Sequence, residues 1–277
     1  ALTLHNQPRF ALNSWSLDTW VKVDATTVDA VLLKRTVGTA TNYEMGLRKD
    51  GAAWKLYGGF VTDDPAAFTA ECVADFATIT AGAWTHVGVT YDANSRTMRL
   101  FVNNSPVKAS VFTGLSSVVS QIGESDVVAA TGFVGQMDAL RVWSLARANF
   151  NDYMTQVNTV PVAAPGLVAY YGFDDGGDSA GDFTLAADWQ TGWVNAATLF
   201  NATMMNAPSP VDIYEDSDGD GIADWWEILY FGNLNRNGAS DFDRDGVNDL
   251  DEYLIGLDPT RTITPNRIHA DGTDDTT

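Results

Sequence analysis

The chain has 277 residues, carries a formal net charge of −20 and contains one cysteine. Such acidity argues against nucleic acids and anionic membranes as partners, and a lone Cys72 excludes an intrachain disulfide. No apolar run is long enough to predict a membrane-spanning helix, so no membrane insertion is expected.

Residues 1–175 are predicted to be rich in β-strands. Short runs of β-branched and aromatic residues alternate there with Gly, Asn, Asp and Ser. Many strands at short spacing favour two packed sheets. Asn103 and Asn104 are predicted to form a hairpin turn, and Ala146–Val157 is predicted as a helix. The predicted strands are Trp15–Val23, Ala30–Arg35, Tyr43–Arg48, Trp54–Gly59, Trp84–Tyr91, Met98–Asn103, Phe133–Trp143 and Leu167–Phe173.

Three strings in this β-rich part carry a family resemblance. They are GAWTHVGVTYD at Gly82–Asp92, MRLFVN at Met98–Asn103 and GQMDALRVW at Gly135–Trp143. The sequence here resembles LamG-like (laminin-G/concanavalin A-like) domains. The resemblance implies a mainly β fold, a two-sheet concanavalin A-like jelly-roll sandwich over residues 1–175. Trp84, Tyr91 and Trp143 are expected to be core aromatics of that sandwich, in preference to platforms for sugar rings.

The remaining residues are predicted to form three further segments. Residues 176–211 form a junction that is too aromatic for a free linker, with Trp189 and Trp193, and it is expected to pack on the sandwich. Pro208 and Pro210 mark its end. Residues 212–260 form a small α-helical calcium-binding module, and residues 261–277 form a polar C-terminal tail.

Two acidic runs in the C-terminal module have the spacing of EF-hand calcium loops. Each has carboxylates at positions 1, 3, 5, 9 and 12 of twelve residues, with glycine at position 6. A glycine allows the sharp turn, position 7 offers a backbone carbonyl, and the glutamate at position 12 can give two oxygens. Two Ca²⁺ sites are therefore predicted, with magnesium as the weaker rival. The predicted ligands are Asp216, Asp218, Asp220, Ile222, Asp224 and Glu227 in the first site, and Asp241, Asp243, Asp245, Val247, Asp249 and Glu252 in the second.

Short helices are predicted to leave each loop, at Ala223–Phe231 and Asn248–Ile255, with Trp226 packing against Tyr253. No apolar periodic helix enters either loop. With its Trp225–Gly232 and Glu252–Thr260 strings, the module resembles dockerin or thrombospondin type 3 repeats of secreted bacterial proteins. That resemblance implies an extracellular or cell-surface location and a structural use of calcium, in place of a sensor that opens a groove.

The acids of the sandwich do not predict catalysis. Glucanases of the superfamily carry Glu-x-Asp-x-Glu on one strand, and this chain has only six glutamates. Glu227 and Glu252 are assigned to calcium. The nearest fragment, Glu124-Ser-Asp126, continues with Val128, so the motif fails. We therefore expect no enzyme activity.

Two functions remain open. The first is a non-catalytic extracellular structural or adhesive protein, a candidate filament subunit that binds copies of itself or other surface proteins. The alternative is a carbohydrate-binding module of a secreted polysaccharide-processing system, with glycans as partners. A further calcium site at the rim of the sandwich would use Asp138 or the loop Asp174–Asp182.

Overall fold

The computed structural model describes residues 2–4, 8–62, 69–116, 125–151, 165–173, 179–180, 197–199, 216–255 and 257–262. The chain divides into two compact units. The first comprises residues 1–157 and 161–212, and the second comprises residues 158–160 and 213–277. No helix in the described ranges is both long and apolar enough to cross a membrane.

The first unit contains every described strand. Along many of them apolar residues alternate with others, and the apolar ones supply the core between the sheets. In chain order the strands are β1 Leu2–Leu4, β2 Trp15–Val23, β3 Ala30–Val37, β4 Ala40–Asp50, β5 Ala53–Val61, β6 Thr69–Val73, β7 Ile79–Thr80, β8 Trp84–Asp92, β9 Thr97–Val102, β10 Ser105–Val111, β11 Ser125–Thr131, β12 Gly135–Trp143, β13 Leu167–Tyr171, β14 Ser179–Ala180 and β15 Ala197–Leu199.

Two antiparallel sheets form from these strands. The nine-stranded sheet has the order β14-β15-β1-β11-β3-β4-β5-β6, with β7 paired to β5. The six-stranded sheet has the order β10-β9-β8-β2-β12-β13. Both orders place strands distant in sequence side by side, as a jelly roll requires. The mainly β, two-sheet concanavalin A-like sandwich predicted from the sequence is thus confirmed.

The apolar core lies between the two sheets. Leu17 and Val21 of β2 and Val89 of β8 face Met45 of β4 and Leu56 of β5 in one buried cluster. Because side chains alternate along a strand, the residues between them face outward. Tyr91 and Trp143 are fully buried, as predicted for core aromatics. Trp84 is only half-buried and lies outside the core cluster, so its prediction as a core aromatic is not confirmed.

Strand β2 has the bounds that the sequence predicted, and the other predicted strands differ from the observed ones by a few residues at their ends. The turn between β9 and β10 is also confirmed. Asn103 and Asn104 have φ angles of 47° and 60°, which suit a two-residue hairpin turn that asparagine tolerates.

The helix predicted at Ala146–Val157 is wrong over its first turn. Residues 146–150 are irregular, Asn151 is helical as predicted, and residues 152–157 lie outside the described ranges. The backbone N–H of Arg147 donates to Ser16 Oγ (2.8 Å) and that of Phe150 to Asn104 Oδ1 (2.7 Å). These donors are therefore taken by side chains of the sandwich, which hold Phe150 on the sheet and prevent helical pairing.

A buried polar cluster lies on the outward face of the six-stranded sheet. Asp18 is fully buried, and its carboxylate accepts hydrogen bonds from His86 Nε2 (3.0 Å), Arg141 Nη1 (2.8 Å) and Trp143 Nε1 (2.7 Å). The ring of Phe150 lies 5.5 Å from that of His86. Three donors from the two strands that flank β2, namely β8 and β12, therefore satisfy one buried carboxylate, as burial of a charge requires.

The described part of the second unit contains two short helices, α1 (Asp224–Phe231) and α2 (Asp249–Ile255). Helix α1 ends at Gly232, whose φ of 73° is left-handed and whose N–H bonds the carbonyls of Glu227 and Ile228. The rings of Trp226 and Tyr253 are 5.6 Å apart, as the sequence predicted. Aromatic packing thus joins the two helices.

Candidate metal centre

Two aspartate triads occupy the acidic runs of the second unit. We call residues 216–227 loop 1 and residues 241–252 loop 2. In loop 1, Asp216, Asp218 and Asp220 each place a carboxylate oxygen within 4.8 Å of the other two. In loop 2 the same is true of Asp241, Asp243 and Asp245. Each triad could hold a metal ion.

Both loops are folded by the same internal hydrogen bonds. The carboxylate of Asp216 accepts the N–H groups of Gly219 (2.7 Å) and Gly221 (2.9 Å). The carboxylate of Asp241 accepts those of Arg244 (2.7 Å) and Gly246 (3.0 Å). Since the partners stand at positions 4 and 6 in each case, the loops follow one backbone path.

A glycine is required at position 6 of this path. The φ angles of Gly221 and Gly246 are 96° and 97°, a region that side chains with a Cβ rarely adopt. Position 4 is also left-handed, with φ of 75° at Gly219 and 64° at Arg244. The sequence pattern predicted the sharp turn at position 6. It did not predict the left-handed residue at position 4, because an arginine there gives no signal of a positive φ.

The glutamates at position 12 are the most informative groups of the site. Glu227 and Glu252 are both fully buried, yet neither oxygen of either carboxylate has a hydrogen-bond partner. One oxygen of Asp220 and one of Asp243 are also buried without a partner. Burial of unpaired carboxylates is very unfavourable. A cation at each triad would remove that penalty, so the residues present fit a metal ion.

The electrostatics of the loops agree with this reading. Burial, and then the charges of Asp220 and Asp218, raise the pKa of Glu227 to about 7. Burial, followed by the charges of Asp243 and Asp245, raises the pKa of Glu252 to about 7. The neighbouring negative charges therefore raise the pKa of the glutamate at position 12. A cation bound beside it would lower that pKa.

The aspartates at position 9 are engaged differently from the others. Asp224 and Asp249 are buried, and both oxygens of each carboxylate accept hydrogen bonds from within the module. The structure thus brings the triads together and buries the glutamates beside them, and it gives the position 9 acids protein partners. The carbonyls of Ile222 and Val247 stay predicted ligands.

The described residues show no cluster of ligands at the predicted calcium site on the rim of the sandwich. Asp138 is buried in β12, where its backbone carbonyl accepts the hydroxyl of Thr19 at 2.8 Å. Of the loop Asp174–Asp182, only residues 179 and 180 fall in the described ranges. A calcium ion at either place therefore stays a prediction.

One pair of acids on the sandwich could not be found from sequence spacing. In the nine-stranded sheet Glu44 of β4 and Glu71 of β6 both lie opposite Gly59 of β5, so they share a row two strand spacings, about 10 Å, apart. Glu44 pairs with Lys34 (3.0 Å), and Glu71 pairs with Arg48 (2.8 Å). Only the strand register reveals the pair.

Comparisons with known proteins address the sandwich. The family described as "Concanavalin A-like lectin/glucanases superfamily" matches residues 1–149, more than half of the chain. Its match does not extend to the two loops. No curated protein matches the chain.

Solved structures with a similar fold include three from different organisms. A carbohydrate-binding protein of Bacteroides ovatus, itself described as putative, is 20% identical with a TM-score of 0.49, covering 73% of this chain and 56% of its own. A heptameric SAP-like pentraxin of Limulus polyphemus is 14% identical (TM-score 0.39; 50% and 66%). The CBM40 of a Ruminococcus gnavus IT-sialidase is 16% identical (TM-score 0.40; 50% and 79%). The chain thus spans a little over half of the Bacteroides protein.

Proposed function

Since the chain belongs to the concanavalin A-like lectin/glucanases superfamily, we propose that it is a non-catalytic, calcium-binding carbohydrate-binding protein that works outside the cell. The two loops bind one Ca²⁺ each, and the sandwich binds a glycan. The observation that carries the calcium part is the burial of Glu227 and Glu252 without hydrogen-bond partners, each beside an aspartate triad.

The donor set selects calcium among the common cations. Every side chain that we assign as a metal ligand in the two loops is a carboxylate, and the loops contain neither cysteine nor histidine. Zinc prefers nitrogen and sulfur ligands. Magnesium prefers a small octahedral shell rich in water, whereas calcium accepts six to eight oxygens, among them a bidentate glutamate. The three aspartates and one buried glutamate of each loop match the ligand preference of calcium.

The role of calcium is to stabilise the module. Its two described helices have only eight and seven residues, and helices this short are marginally stable without further stabilisation. Without a cation the buried glutamates repel the aspartates around them. Binding of the metal and folding of the module are therefore coupled. An extracellular location suits such a module because free calcium is abundant there.

The superfamily match favours carbohydrate as the partner over the structural or adhesive reading. The family unites lectins and glucanases, both of which bind sugars. The acids of the nine-stranded sheet favour the lectin side. Glu44 forms a salt bridge with Lys34, and Glu71 forms one with Arg48. Glu44 also accepts a hydrogen bond from the hydroxyl of Tyr57. Neither is a free general acid or base, so we propose binding without hydrolysis.

Titration calorimetry of the full chain with Ca²⁺ tests the metal part. We expect two sites in the unmodified protein and one in Glu227→Gln. Glu71→Gln is the matched control, since its carboxylate is exposed and paired with Arg48 on the sandwich, and it should retain both sites. Absence of heat from calcium, or loss of a site in the control, would refute the assignment.

A glycan array with and without calcium tests the carbohydrate part. Reproducible binding to one class of glycans, with no release of reducing ends from the corresponding polysaccharide, is the expected result. No glycan binding, together with regular polymers in electron micrographs, would restore the structural or adhesive reading. Release of reducing ends that is lost in Glu44→Gln or Glu71→Gln would show a glycosidase.

A further inference from the structure

The position 9 aspartate of loop 1 is fully occupied by its own loop. Asp224 is 1% exposed. One carboxylate oxygen accepts the backbone N–H of Ser217 at 2.7 Å, and the other accepts the hydroxyl of the same residue at 2.6 Å. Ser217 stands at position 2, so these bonds tie the entry of the loop to the first turn of α1.

The position 9 aspartate of loop 2 also accepts a hydrogen bond on each oxygen, but its second donor is a different side chain. One oxygen of Asp249 accepts the backbone N–H of Phe242, again at position 2, at 2.9 Å. The other oxygen accepts Nε of Arg236 at 2.8 Å. The guanidinium of Arg236 lies 4.8 Å from the ring centre of Phe231 and 4.9 Å from that of Phe242, so its position is fixed by packing as well.

From this contrast with position 12 we infer that Asp224 and Asp249 are positioning residues that close the loops, and that they are not ligands of the cation. The inference rests on the calcium binding proposed above. Glu227 and Glu252 have buried oxygens without partners, which is what a ligand awaiting a cation requires. The position 9 carboxylates instead have good protein donors on both oxygens.

The two loops respond differently to asparagine at position 9. An amide at position 224 keeps one oxygen for the Ser217 N–H, and its NH₂ can donate to the serine hydroxyl, which then accepts. An amide at position 249 would turn its NH₂ either on Arg236 or on the Phe242 N–H, and both of these are donors. A buried donor is left facing a donor only in loop 2.

Calorimetric titration of Asp224→Asn and Asp249→Asn with Ca²⁺ tests the inference. Each variant loses one negative charge near its own calcium site. The loss of affinity caused by that charge therefore largely cancels when the two variants are compared. We expect the calcium affinity of loop 2 in Asp249→Asn to fall at least about tenfold further than that of loop 1 in Asp224→Asn, the usual effect of a lost hydrogen bond to a charged group. Asp249→Asn/Arg236→Gln should recover most of the difference, because the glutamine oxygen accepts the new NH₂.

Amide hydrogen exchange supplies a readout that does not depend on metal affinity. The Ser217 N–H should lose protection in Asp224→Ala and keep it in Asp224→Asn, whereas an acid acting only as a ligand would leave that amide unaffected. Equal losses of affinity in the two asparagine variants, or an unchanged Ser217 amide in Asp224→Ala, would overturn the inference. Failure of the unmodified protein to bind calcium would instead refute the proposed function.

Discussion

Replacing Asp18 by asparagine tests the buried polar cluster of the six-stranded sheet. The variant keeps the shape of the side chain and removes the charge that pairs with Arg141, which is itself buried. Breaking a buried ion pair from one side costs about 3–5 kcal/mol. An NH₂ would also face one of the three donors now bound to Asp18.

The expected loss of stability is large enough to measure by heat or denaturant. For a unit of this size the loss of about 3–5 kcal/mol corresponds to a fall in Tm of about 6–20 °C. Asp50→Asn is the matched control, because its carboxylate is more than half exposed and pairs with Lys55 at 2.9 Å. Such a surface pair contributes about 0–1 kcal/mol.

The pH dependence gives a second test of the same residue. Burial alone would raise the pKa of Asp18, but Arg141, His86 and Trp143 together bring that pKa below its usual value. The stabilisation by the carboxylate is thus complete above the pKa of the unfolded chain, about 3.9, and is lost as the pH falls through the lower folded value. The stability gap between the unmodified protein and Asp18→Asn should therefore narrow below about pH 4. A cost under about 1 kcal/mol, or a gap that widens in acid, would refute the reasoning.

Three further predictions concern the sandwich, loop 2 and the metal. Gly88→Ala should cost about 1–3 kcal/mol, because its Cβ would lie 2.3 Å from the buried ring of Phe150; denaturant unfolding measures this, and Gly88→Ala/Phe150→Leu should recover part of it. Gly246→Ala should lower the calcium affinity of loop 2 and spare loop 1, since a φ of 97° strains alanine; equal effects on both sites in calorimetry would contradict this. Excess chelator should lower the melting temperature of the helical signal in far-ultraviolet circular dichroism while the β-sheet signal of the sandwich keeps its own transition; an unchanged helical transition would contradict coupled folding.

The sequence predicted the fold well where one physical signal dominates. Alternating apolar residues gave the bounds of β2, and paired asparagines gave the turn at Asn103 and Asn104. Strands β6, β10 and β11 were not predicted. In β6 only the small residues Ala70 and Cys72 alternate with exposed ones, which is a weak pattern. The helix prediction at Ala146 failed because contacts with Ser16 and Asn104, distant in sequence, override local helix propensity.

In the candidate metal site, too, some features follow from sequence spacing and others only from the folded structure. Spacing alone predicted the aspartate triads and the glycine at position 6, because the chemistry of calcium fixes both. Spacing could not assign Asp224 and Asp249 to closure of the loops, since that depends on the partners Ser217 and Arg236. The row of Glu44 and Glu71 likewise follows from strand register, which no local pattern encodes.

The central claim is that each acidic loop holds one calcium ion through its triad and its buried glutamate. Native mass spectrometry of the full chain in calcium tests it most directly, with the unmodified protein compared with Glu227→Gln/Glu252→Gln. We predict a mass increase of two calcium ions for the first and none for the second. No bound calcium in the unmodified protein, or two ions retained in the double variant, would contradict the account.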